Sequence, residues 1–259
     1  MLDDIVATKQ QEVEQAKDEL PLDDLKARLV NHFTERNFSK AIAQPGKLSL
    51  IAELKRKSPS RGMLRERFDP VSLAQELQGA GAAALSVLTD EAYFGGHLDF
   101  LRDAKQFTEV PVLRKDFIVD PYQVYEAAFY EADAVLLIVR ILTEDELSLC
   151  MQAADSLGLE PLVEVHSEYE LKMALRSGAH TIGINHRDLS TFQMDPGLAQ
   201  KLIPLIPAGK VIVAESGLQK PEDIQRMKSL GVHAVLIGEA LMTAPDAGAK
   251  VEELFRGTW

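Results

Sequence analysis

Acidic and basic residues stand at the ends of several apolar segments of this sequence, where a buried segment should carry no charge. Glu53 and Lys55 end the run LIAELK, and their alternate spacing places both on one face of a strand. Lys115 ends a second apolar run, and Glu164 lies near the end of a third. Unpaired buried charges are costly, and acids that meet bases in a desolvated site acquire the shifted pKa values that proton transfer needs. The pattern therefore predicts general acid/base chemistry.

Polar residues also follow two later apolar runs. Asn185 ends the run TIGIN and Arg187 follows it two residues later, and Glu215 and Ser216 end the run VIVAES. Any one of these residues could instead belong to ion pairs that complete a polar layer inside the protein. We expect the set to act jointly, because so many unpaired charges would be too costly to bury for structure alone.

Two glycine-containing turns near the end of the chain predict a binding site for phosphate. Gly217 in AESGL and Gly238 in LIGEALM each follow an apolar run, and a glycine lets the backbone approach an anion closely. A short helix that begins near Glu239 would aim free N–H groups at the same point. The Glu239 side chain repels phosphate, so we expect only its backbone N–H to bind. Ser58 and Arg187 are additional side-chain candidates, and ordinary turn glycines are the alternative interpretation.

Eight strand-like apolar runs alternate with amphipathic helical runs and would position these residues. The strand runs begin at Leu48, Ala83, Val110, Ala134, Glu160, Thr181, Lys210 and Ala234. Most helical runs open with an acidic or hydroxyl cap or a proline and end at a glycine. Eight such units usually close into an α/β fold, the (β/α)8 or TIM barrel, with the polar residues at the carboxyl ends of its strands. A doubly wound open sheet is the structural alternative.

We expect one domain over residues 1–259, with an N-terminal helical extension at 1–46 and the barrel at 47–259. The extension carries Leu2, Ile5, Val6 and Val13 along one helix face, with a break near Pro21. An apolar face of this kind must pack against the barrel. It could plug one barrel end, or it could be a lid that contributes to substrate binding.

Composition narrows the class of function. Hydrophobic residues make up 46% and charged residues 26% of the chain, which is typical of a globular protein. The formal net charge of −12 argues against nucleic-acid binding, which needs a basic surface. No apolar run reaches the roughly 18 residues of a membrane span, and the start MLDDIVATKQ has acids where a secretion signal has bases. We therefore expect a cytoplasmic protein with no membrane partner.

Neither a metal nor another cofactor is expected. Cys150 is the one cysteine, so a disulfide or a thiolate cluster within one chain is excluded. The histidines show no paired ligand spacing, and no glycine loop of the dinucleotide or Walker type occurs. The six histidines are His32, His97, His166, His180, His186 and His233. Of these, His166 and His186 stand near the polar rim, where they could be structural or could touch a ligand.

A series of motifs along the chain points to one protein family. The motifs are IAELKRKSPSRG, LRKDFIVDPYQ, LLIVRIL, PLVEVH, IGINHRDL, VAESGL and LIGEALM, in this order. Together they resemble the indole-3-glycerol-phosphate synthase family over nearly the whole length. The resemblance implies ring closure of 1-(2-carboxyphenylamino)-1-deoxyribulose 5-phosphate to indole-3-glycerol phosphate, with loss of carbon dioxide and water. The chain would be a carboxy-lyase of tryptophan biosynthesis that binds a small phosphorylated substrate, and we expect a monomer.

The resemblance also implies a role for each charged residue. Lys115 would protonate the ribulose carbonyl as the aromatic carbon attacks it. Lys55 and Glu164 would be the acid and the base of the dehydration, in an order that the sequence leaves open, and Glu53 would orient the lysines. Two further residues would hold substrate hydroxyls or the lysines. The full predicted catalytic set is Lys115, Glu164, Lys55, Glu53, Asn185 and Glu215.

Apolar residues would form a slot for the anthranilate ring of the substrate. The resemblance points to Phe94, Phe117 and Leu136, with Leu189 as a further candidate, although ordinary barrel packing would also explain such residues. The full predicted substrate-binding set is Ser58, Phe94, Phe117, Leu136, Arg187, Leu189 and Ser216. The predicted phosphate-binding set is Gly217, Gly238 and Glu239.

Two departures from the family pattern and two rival interpretations stand beside this hypothesis. His186 stands where a small hydroxyl residue is more usual, and Glu239 occupies a position that can be serine. Another phosphate-binding barrel, such as phosphoribosylanthranilate isomerase, would share the phosphate glycines but would not explain KRKSPS together with LRKDF. A barrel that only binds or acts as a scaffold would not need the acids and bases.

Overall fold

The computed structural model describes residues 1–29, 34 and 36–259, and within them eight parallel strands close into a barrel. The barrel strands are β1 (Ser49–Leu54), β2 (Ala84–Leu88), β3 (Val112–Lys115), β4 (Ala134–Ile138), β5 (Glu160–Val165), β6 (Thr181–Asn185), β7 (Val211–Glu215) and β8 (Ala234–Ile237). Each strand pairs with the next along the chain, and β8 pairs with β1. The predicted (β/α)8 barrel is confirmed, and the open-sheet alternative is wrong. One of the six histidines, His32, lies outside the described residues.

The helices begin and end where the sequence patterns place their caps. They are α1 (Leu2–Glu19), α2 (Leu22–Arg28), α3 (Phe38–Ile42), α4 (Pro70–Gly79), α5 (Leu98–Phe107), α6 (Pro121–Phe129), α7 (Glu144–Leu157), α8 (Glu168–Arg176), α9 (Leu198–Leu202), α10 (Pro221–Ser229), α11 (Glu239–Met242) and α12 (Ala247–Leu254). Asp69, Asp120, Thr143 and Ser167 each accept a hydrogen bond from a backbone N–H of the following first turn. In the part of the chain that is described, no helix is long and apolar enough to cross a membrane.

The inside of the barrel is apolar in its lower layers and polar at its carboxyl-terminal end. Ile51 on β1 and Val213 on β7 belong to a buried cluster that fills the interior. Inward side chains recur at every second residue of a strand, so Glu53 and Glu215 lie one layer above Ile51 and Val213. The strands thus carry two carboxylates on top of an apolar core, where the barrel opens.

The N-terminal extension contacts both ends of the barrel. In α3, Phe38 and Ile42 are fully buried in the interior cluster, and the backbone N–H of Ser39 donates to the Glu160 carboxylate at the start of β5. The α3 helix therefore plugs the amino-terminal end, as one interpretation of the sequence proposed. At the other end of the extension, Leu2 and Ile5 of α1 belong to the same apolar cluster as Phe117, which follows β3.

A buried lysine fixes α1 to the carboxyl-terminal side of the barrel. Lys9 Nζ lies 3.2 Å from Asp90 Oδ2 and 3.1 Å from Asp116 Oδ1, and these aspartates follow β2 and β3. Asp116 Oδ2 is also 3.1 Å from Arg114 Nη2. Burial alone would lower the pKa of Lys9, but the charges of Asp116 and Asp90 outweigh burial and raise it. The ammonium group is thus a permanent link between α1 and the segment next to Lys115.

We expect Lys9→Met to lower the free energy of unfolding by about 3 to 5 kcal/mol, because it leaves the buried Asp90 carboxylate without its cation and removes one of the two cations that contact Asp116. Urea unfolding of both proteins measures the difference. Lys172→Met is the matched control, since Lys172 pairs with Glu168 on the surface and such a pair contributes about 1 kcal/mol or less. Equal small losses in the two variants would contradict a stabilising role for the Lys9 network.

Candidate active site

A cavity of about 120 Å³ lies at the carboxyl ends of the strands. Its wall includes the predicted site residues Glu53, Lys55, Ser58, Phe94, Lys115, Phe117, Asn185, Arg187, Leu189, Glu215, Ser216, Gly217, Gly238 and Glu239. Two predicted site residues, Glu164 and Leu136, do not line it. The cavity brings together predicted site residues that are up to 186 positions apart in the sequence, from Glu53 to Glu239.

Lys115 is surrounded by carboxylates at the centre of this cavity. Its Nζ atom lies 3.2 Å from Glu164 Oε2 and 3.9 Å from Glu215 Oε2. Burial alone would lower the pKa of Lys115, but the charges of Glu164, Glu215 and Glu53 outweigh burial and raise it. The side chain is therefore an ammonium group, which can donate a proton but cannot attack as a nucleophile.

Glu164 lies behind Lys115 and is fully buried. Its Oε1 atom lies 3.2 Å from His166 Nε2, so the carboxylate stands between two cationic groups. Burial alone would raise the pKa of Glu164, but Lys115 and His166 hold it well below its usual range. Glu164 is thus ionised. It does not line the cavity itself, but it contacts Lys115, which does.

Glu215 has the opposite protonation state. Burial and the nearby charge of Glu164 raise the pKa of Glu215 to about 8, although Lys115 acts in the other direction. Both carboxyl oxygens are buried and have no hydrogen-bond partner within the described ranges. Two adjacent buried carboxylates cannot both ionise easily, so the pair holds one proton near neutral pH and Glu215 carries it.

Glu53 and Lys55 form a second acid and base pair on β1 and the loop after it. Lys55 Nζ lies 2.5 Å from Glu53 Oε2, and the lysine is the more exposed of the two side chains. A Cβ atom at Gly238 would overlap the Glu53 carboxylate. Gly238 therefore makes room for the Glu53 carboxylate, a reason for this glycine that the sequence analysis did not identify.

Gly183 is a site residue that the sequence analysis missed. It lies in the middle of β6, and a Cβ atom there would overlap the Glu215 carboxylate. A glycine inside an apolar strand often marks a close approach of another group, so the sequence did contain the signal. Because Gly183 has no side chain, the Glu215 carboxylate can pack closely against β6, where it is shielded from solvent.

The predicted phosphate end has turns of unusual backbone conformation. Ser216 and Gly217 have φ angles of 64° and 74°, so their backbone departs from the strand and turns towards the cavity. The Glu239 carboxylate meets two arginines there, at 3.1 Å from Arg61 Nη2 and 3.5 Å from Arg187 Nη2. The Glu239 carboxylate thus offsets the positive charges of both arginines. Arg61 was not among the residues predicted from the sequence.

Apolar side chains also line the cavity. The rings of Phe94 and Phe117 are tilted by 39° with their centroids 5.9 Å apart. Leu136 does not line the cavity as predicted, because it is an inward residue one layer deeper and is fully buried in the barrel core. Ile138, two residues further along β4, takes that place in the wall.

The two rim histidines do not line the cavity. His186 Nδ1 lies 2.9 Å from the backbone oxygen of Glu215, and burial lowers the pKa of His186, so this ring is a neutral support for the turn after β7. His166 instead contacts Glu164, as described above. Among the described residues, no group of three or more histidine, cysteine, aspartate or glutamate side chains could hold a metal ion.

Comparison with known proteins identifies the family. A family model described as indole-3-glycerol phosphate synthase matches residues 2–254. An indole-3-glycerol phosphate synthase from Campylobacter curvus is 42% identical, and the match covers 99% of this chain and 100% of the relative. One from Desulforamulus reducens is 46% identical, and the match covers 98% of this chain and 96% of the relative. A crystal structure of 3-hexulose-6-phosphate synthase shares the fold, with a TM-score of 0.62 at 16% identity over 80% of this chain and 98% of its own. The chain belongs to the indole-3-glycerol phosphate synthase family.

Proposed function

We propose that the cavity carries out the family's ring closure with its own acids and bases, in roles that divide between two lysine–glutamate pairs. The family makes the chain a carboxy-lyase of tryptophan biosynthesis that acts on a small phosphorylated substrate. The observation that carries the assignment of roles is the buried cluster in which Lys115 contacts Glu164 and Glu215 beside the Glu53–Lys55 pair.

The reaction requires two protons and returns one. When the aromatic carbon attacks the ribulose carbonyl, the carbonyl oxygen takes a proton from Lys115. The bond to the carboxylate then breaks, carbon dioxide leaves, and the electron pair restores the aromatic ring. Loss of the hydroxyl as water needs a second proton, and the ring nitrogen releases one. A proton then moves from the adjacent ring CH2 to this nitrogen, which completes the aromatic indole without changing the proton count. One proton is therefore taken up per turnover, which balances the substrate carboxylate that leaves as neutral carbon dioxide.

The two pairs suit different parts of this proton balance. Lys115 is cationic and Glu164 anionic, so the Lys115–Glu164 pair can give a proton in ring closure and regain one from the ring nitrogen. Lys55 is the proposed second acid, because its ammonium group contacts Glu53 and its side chain is partly exposed, which allows a new proton to arrive from water. The order that the sequence left open is thus proposed as Lys55 for the acid and Glu164 for the base.

The remaining residues hold the substrate in our proposal. Asn185 and the protonated Glu215 can bond substrate hydroxyls, since Glu215 has free hydrogen-bonding capacity in the wall. The anthranilate ring would pack against Phe94 and Phe117, with Leu189 beside them. Phosphate would bind at Gly217, Gly238 and the backbone of Glu239, with help from the side chains of Ser58, Arg187 and Ser216.

Phosphate binding in this arrangement is an exchange of anions. The Glu239 carboxylate already holds Arg61 and Arg187, so an incoming phosphate would replace it as their partner. The cationic residues of the cavity would also offset the repulsion between an anionic substrate and a chain with a net charge of −12.

The test is a direct assay of product formation. Purified protein given 1-(2-carboxyphenylamino)-1-deoxyribulose 5-phosphate should release carbon dioxide and the fluorescent product indole-3-glycerol phosphate in equal amounts. Isomerisation of phosphoribosylanthranilate by the same protein, with no indole formed, would support the rival enzyme. Tight binding of the substrate without turnover would support a barrel that only binds.

We expect Gly217→Asp to weaken binding of indole-3-glycerol phosphate by about tenfold or more, because a carboxylate would replace backbone N–H groups as the nearest neighbour of the phosphate. Isothermal titration measures the affinity. Gly178→Asp is the matched control, since Gly178 also has a positive φ, of 85°, but faces open space after α8. Unchanged affinity in Gly217→Asp would move the phosphate to another part of the cavity.

Location and assembly complete the proposal. We propose a cytoplasmic enzyme, in keeping with a single, buried cysteine, Cys150, whose pKa burial raises to about 12. We also propose a monomer without a nucleic-acid partner, because the exposed large apolar side chains of the described residues lie on separate elements and the net charge is −12. Light scattering at assay concentration tests the monomer.

A further inference from the structure

His166 is a buried histidine with a carboxylate on each side of its ring. Its Nε2 atom lies 3.2 Å from Glu164 Oε1, and its Nδ1 atom lies 3.2 Å from Glu170 Oε2. The backbone N–H of His166 also donates to Glu170 Oε2 at 2.7 Å, which fixes the position of this carboxylate. With Lys115 on the far side of Glu164, the chain of charges Lys115, Glu164, His166 and Glu170 alternates in sign.

The other charged groups near His166 do not compete for its contacts with Glu164 and Glu170. Arg140 Nε lies 3.0 Å from Glu170 Oε1, the oxygen that His166 does not contact, and Arg140 also pairs with Asp188. A further cavity beside His166, of about 280 Å³, is lined from β6 and its loop by Asn185, His186, Asp188 and Asp195. Burial lowers the pKa of His186, so its neutral ring adds no competing positive charge.

We propose that His166 is a positioning residue that acts as a fixed imidazolium, so that Glu164 keeps a cationic partner when Lys115 gives up its proton. This inference rests on the proposed role of Lys115 as the first acid. Without a second cation, proton transfer from Lys115 would leave Glu164 as an unpaired buried anion, which is strongly unfavourable. The positive charge of His166 removes this penalty and so makes Lys115 a stronger acid.

The surroundings of the ring agree with a permanent charge. Burial alone would lower the pKa of His166, but the adjacent carboxylates of Glu164 and Glu170 outweigh burial and raise it to about 9. A neutral imidazole could donate to only one of the two carboxylates and would leave the other without a donor. Nδ1 forms a hydrogen bond with Glu170 Oε2, and Nε2 lies within ion-pair distance of Glu164 Oε1 without a hydrogen bond. A carboxylate close to each ring nitrogen thus favours the imidazolium form.

The first experiment measures the charge of His166 without any substrate. In protein labelled with 13C and 15N at histidine, we expect the ring of His166 to remain an imidazolium at pH 8 and to titrate near pH 9. Glu170→Gln removes one carboxylate and should lower this value. A His166 ring that titrates at or below pH 6.5 would overturn the proposal, whatever the enzyme's activity.

The second experiment measures the consequence for turnover. We expect His166→Gln to lower kcat about tenfold at pH 7.5, with little change in product affinity, because Lys115 becomes a weaker acid. The variant should also lose activity at a higher pH on the acid side, since the pKa of Glu164 rises when one of its two cations is removed. Gln keeps a side chain that can donate to Glu164, so a merely structural role would leave the pH profile unchanged.

His180→Gln is the control for a lost histidine, because His180 is exposed and precedes β6 at the opposite end of the barrel. It should keep the wild-type kcat and pH profile. A His166→Gln enzyme with the same kcat and the same acid limb as His180→Gln would overturn the proposal. If wild-type protein makes no indole-3-glycerol phosphate at all, the proposed function fails instead, while the titration of His166 remains a valid measurement.

Discussion

Lys115→Ala is expected to lower kcat by about 10²- to 10⁴-fold, the usual contribution of a general acid, with only a modest loss of substrate affinity. An ammonium group that donates a proton to the carbonyl stabilises the transition state, where charge develops on oxygen, more than the ground state. The loss should therefore appear in the single-turnover rate and much less in the dissociation constant.

Lys115→Arg distinguishes proton transfer from simple charge. A guanidinium group keeps the positive charge between Glu164 and Glu215 but hardly releases a proton near neutral pH, so we expect this variant to rescue little of the rate. If Lys115 only anchored the substrate carboxylate, Lys115→Arg would turn over nearly as fast as wild type, and Lys115→Ala would mainly bind substrate more weakly. Near-wild-type turnover of the arginine variant would overturn the assignment.

Lys105→Ala controls for the removal of a half-buried lysine from an ion pair. Lys105 pairs with Asp133 at 2.5 Å, and its side chain is 15% exposed, against 16% for Lys115. It lies at the other end of the barrel, near the end of α5. We expect Lys105→Ala to affect stability and to leave the rate of ring closure unchanged.

The fold was predictable because local patterns agree with the global architecture. Eight near-continuous apolar runs and the caps at Asp69, Asp120 and Thr143 all indicate strands and helices in strict alternation. Parallel strands then place their carboxyl ends on one rim, so the meeting of Glu53, Lys115 and Glu215 followed from the topology. The division of the chain between 46 and 47 stays a prediction.

The depth of each side chain in the cavity could not be predicted from its strand alone. Glu164 and Leu136 both belong to strands that reach the site, but Glu164 lies behind Lys115 and Leu136 lies one layer below the wall. Depth depends on the stagger between neighbouring strands, which the sequence of one strand does not contain. Arg61 was not predicted because it lies in the loop after β1 and its partner Glu239 is 178 residues away in the sequence.

Protonation states were also beyond the sequence, because they depend on which charges become neighbours. Glu164 and Glu215 are the same residue type in similar apolar strands, yet one is ionised and the other carries a proton. The two cations beside Glu164 make the difference, since Glu215 has Lys115 at 3.9 Å and no cation closer within the described residues.

Glu164→Gln tests this division of charge and is expected to lower kcat by about 10²- to 10⁴-fold, because the Lys115–Glu164 pair, which regains the ring-nitrogen proton in the proposed mechanism, would lose its base. The substitution should also change Glu215. In the wild type, burial and the charge of Glu164 raise the pKa of Glu215 to about 8. Removing the charge of Glu164 should lower that pKa, because burial remains but the repulsion between the two carboxylates is gone.

Infrared spectroscopy can follow the proton directly through the carbonyl stretch of a protonated carboxyl group. We expect wild-type protein to show this band at pH 7 and to lose it as the pH rises through about 8, when Glu215 ionises. In Glu164→Gln the band should disappear at a lower pH, and in Glu215→Gln it should be absent. Glu168→Gln is the control, since Glu168 is an exposed glutamate paired with Lys172. A band that persists at pH 7 in Glu215→Gln would assign the proton to Glu164, and Glu164 could then no longer be the ionised base.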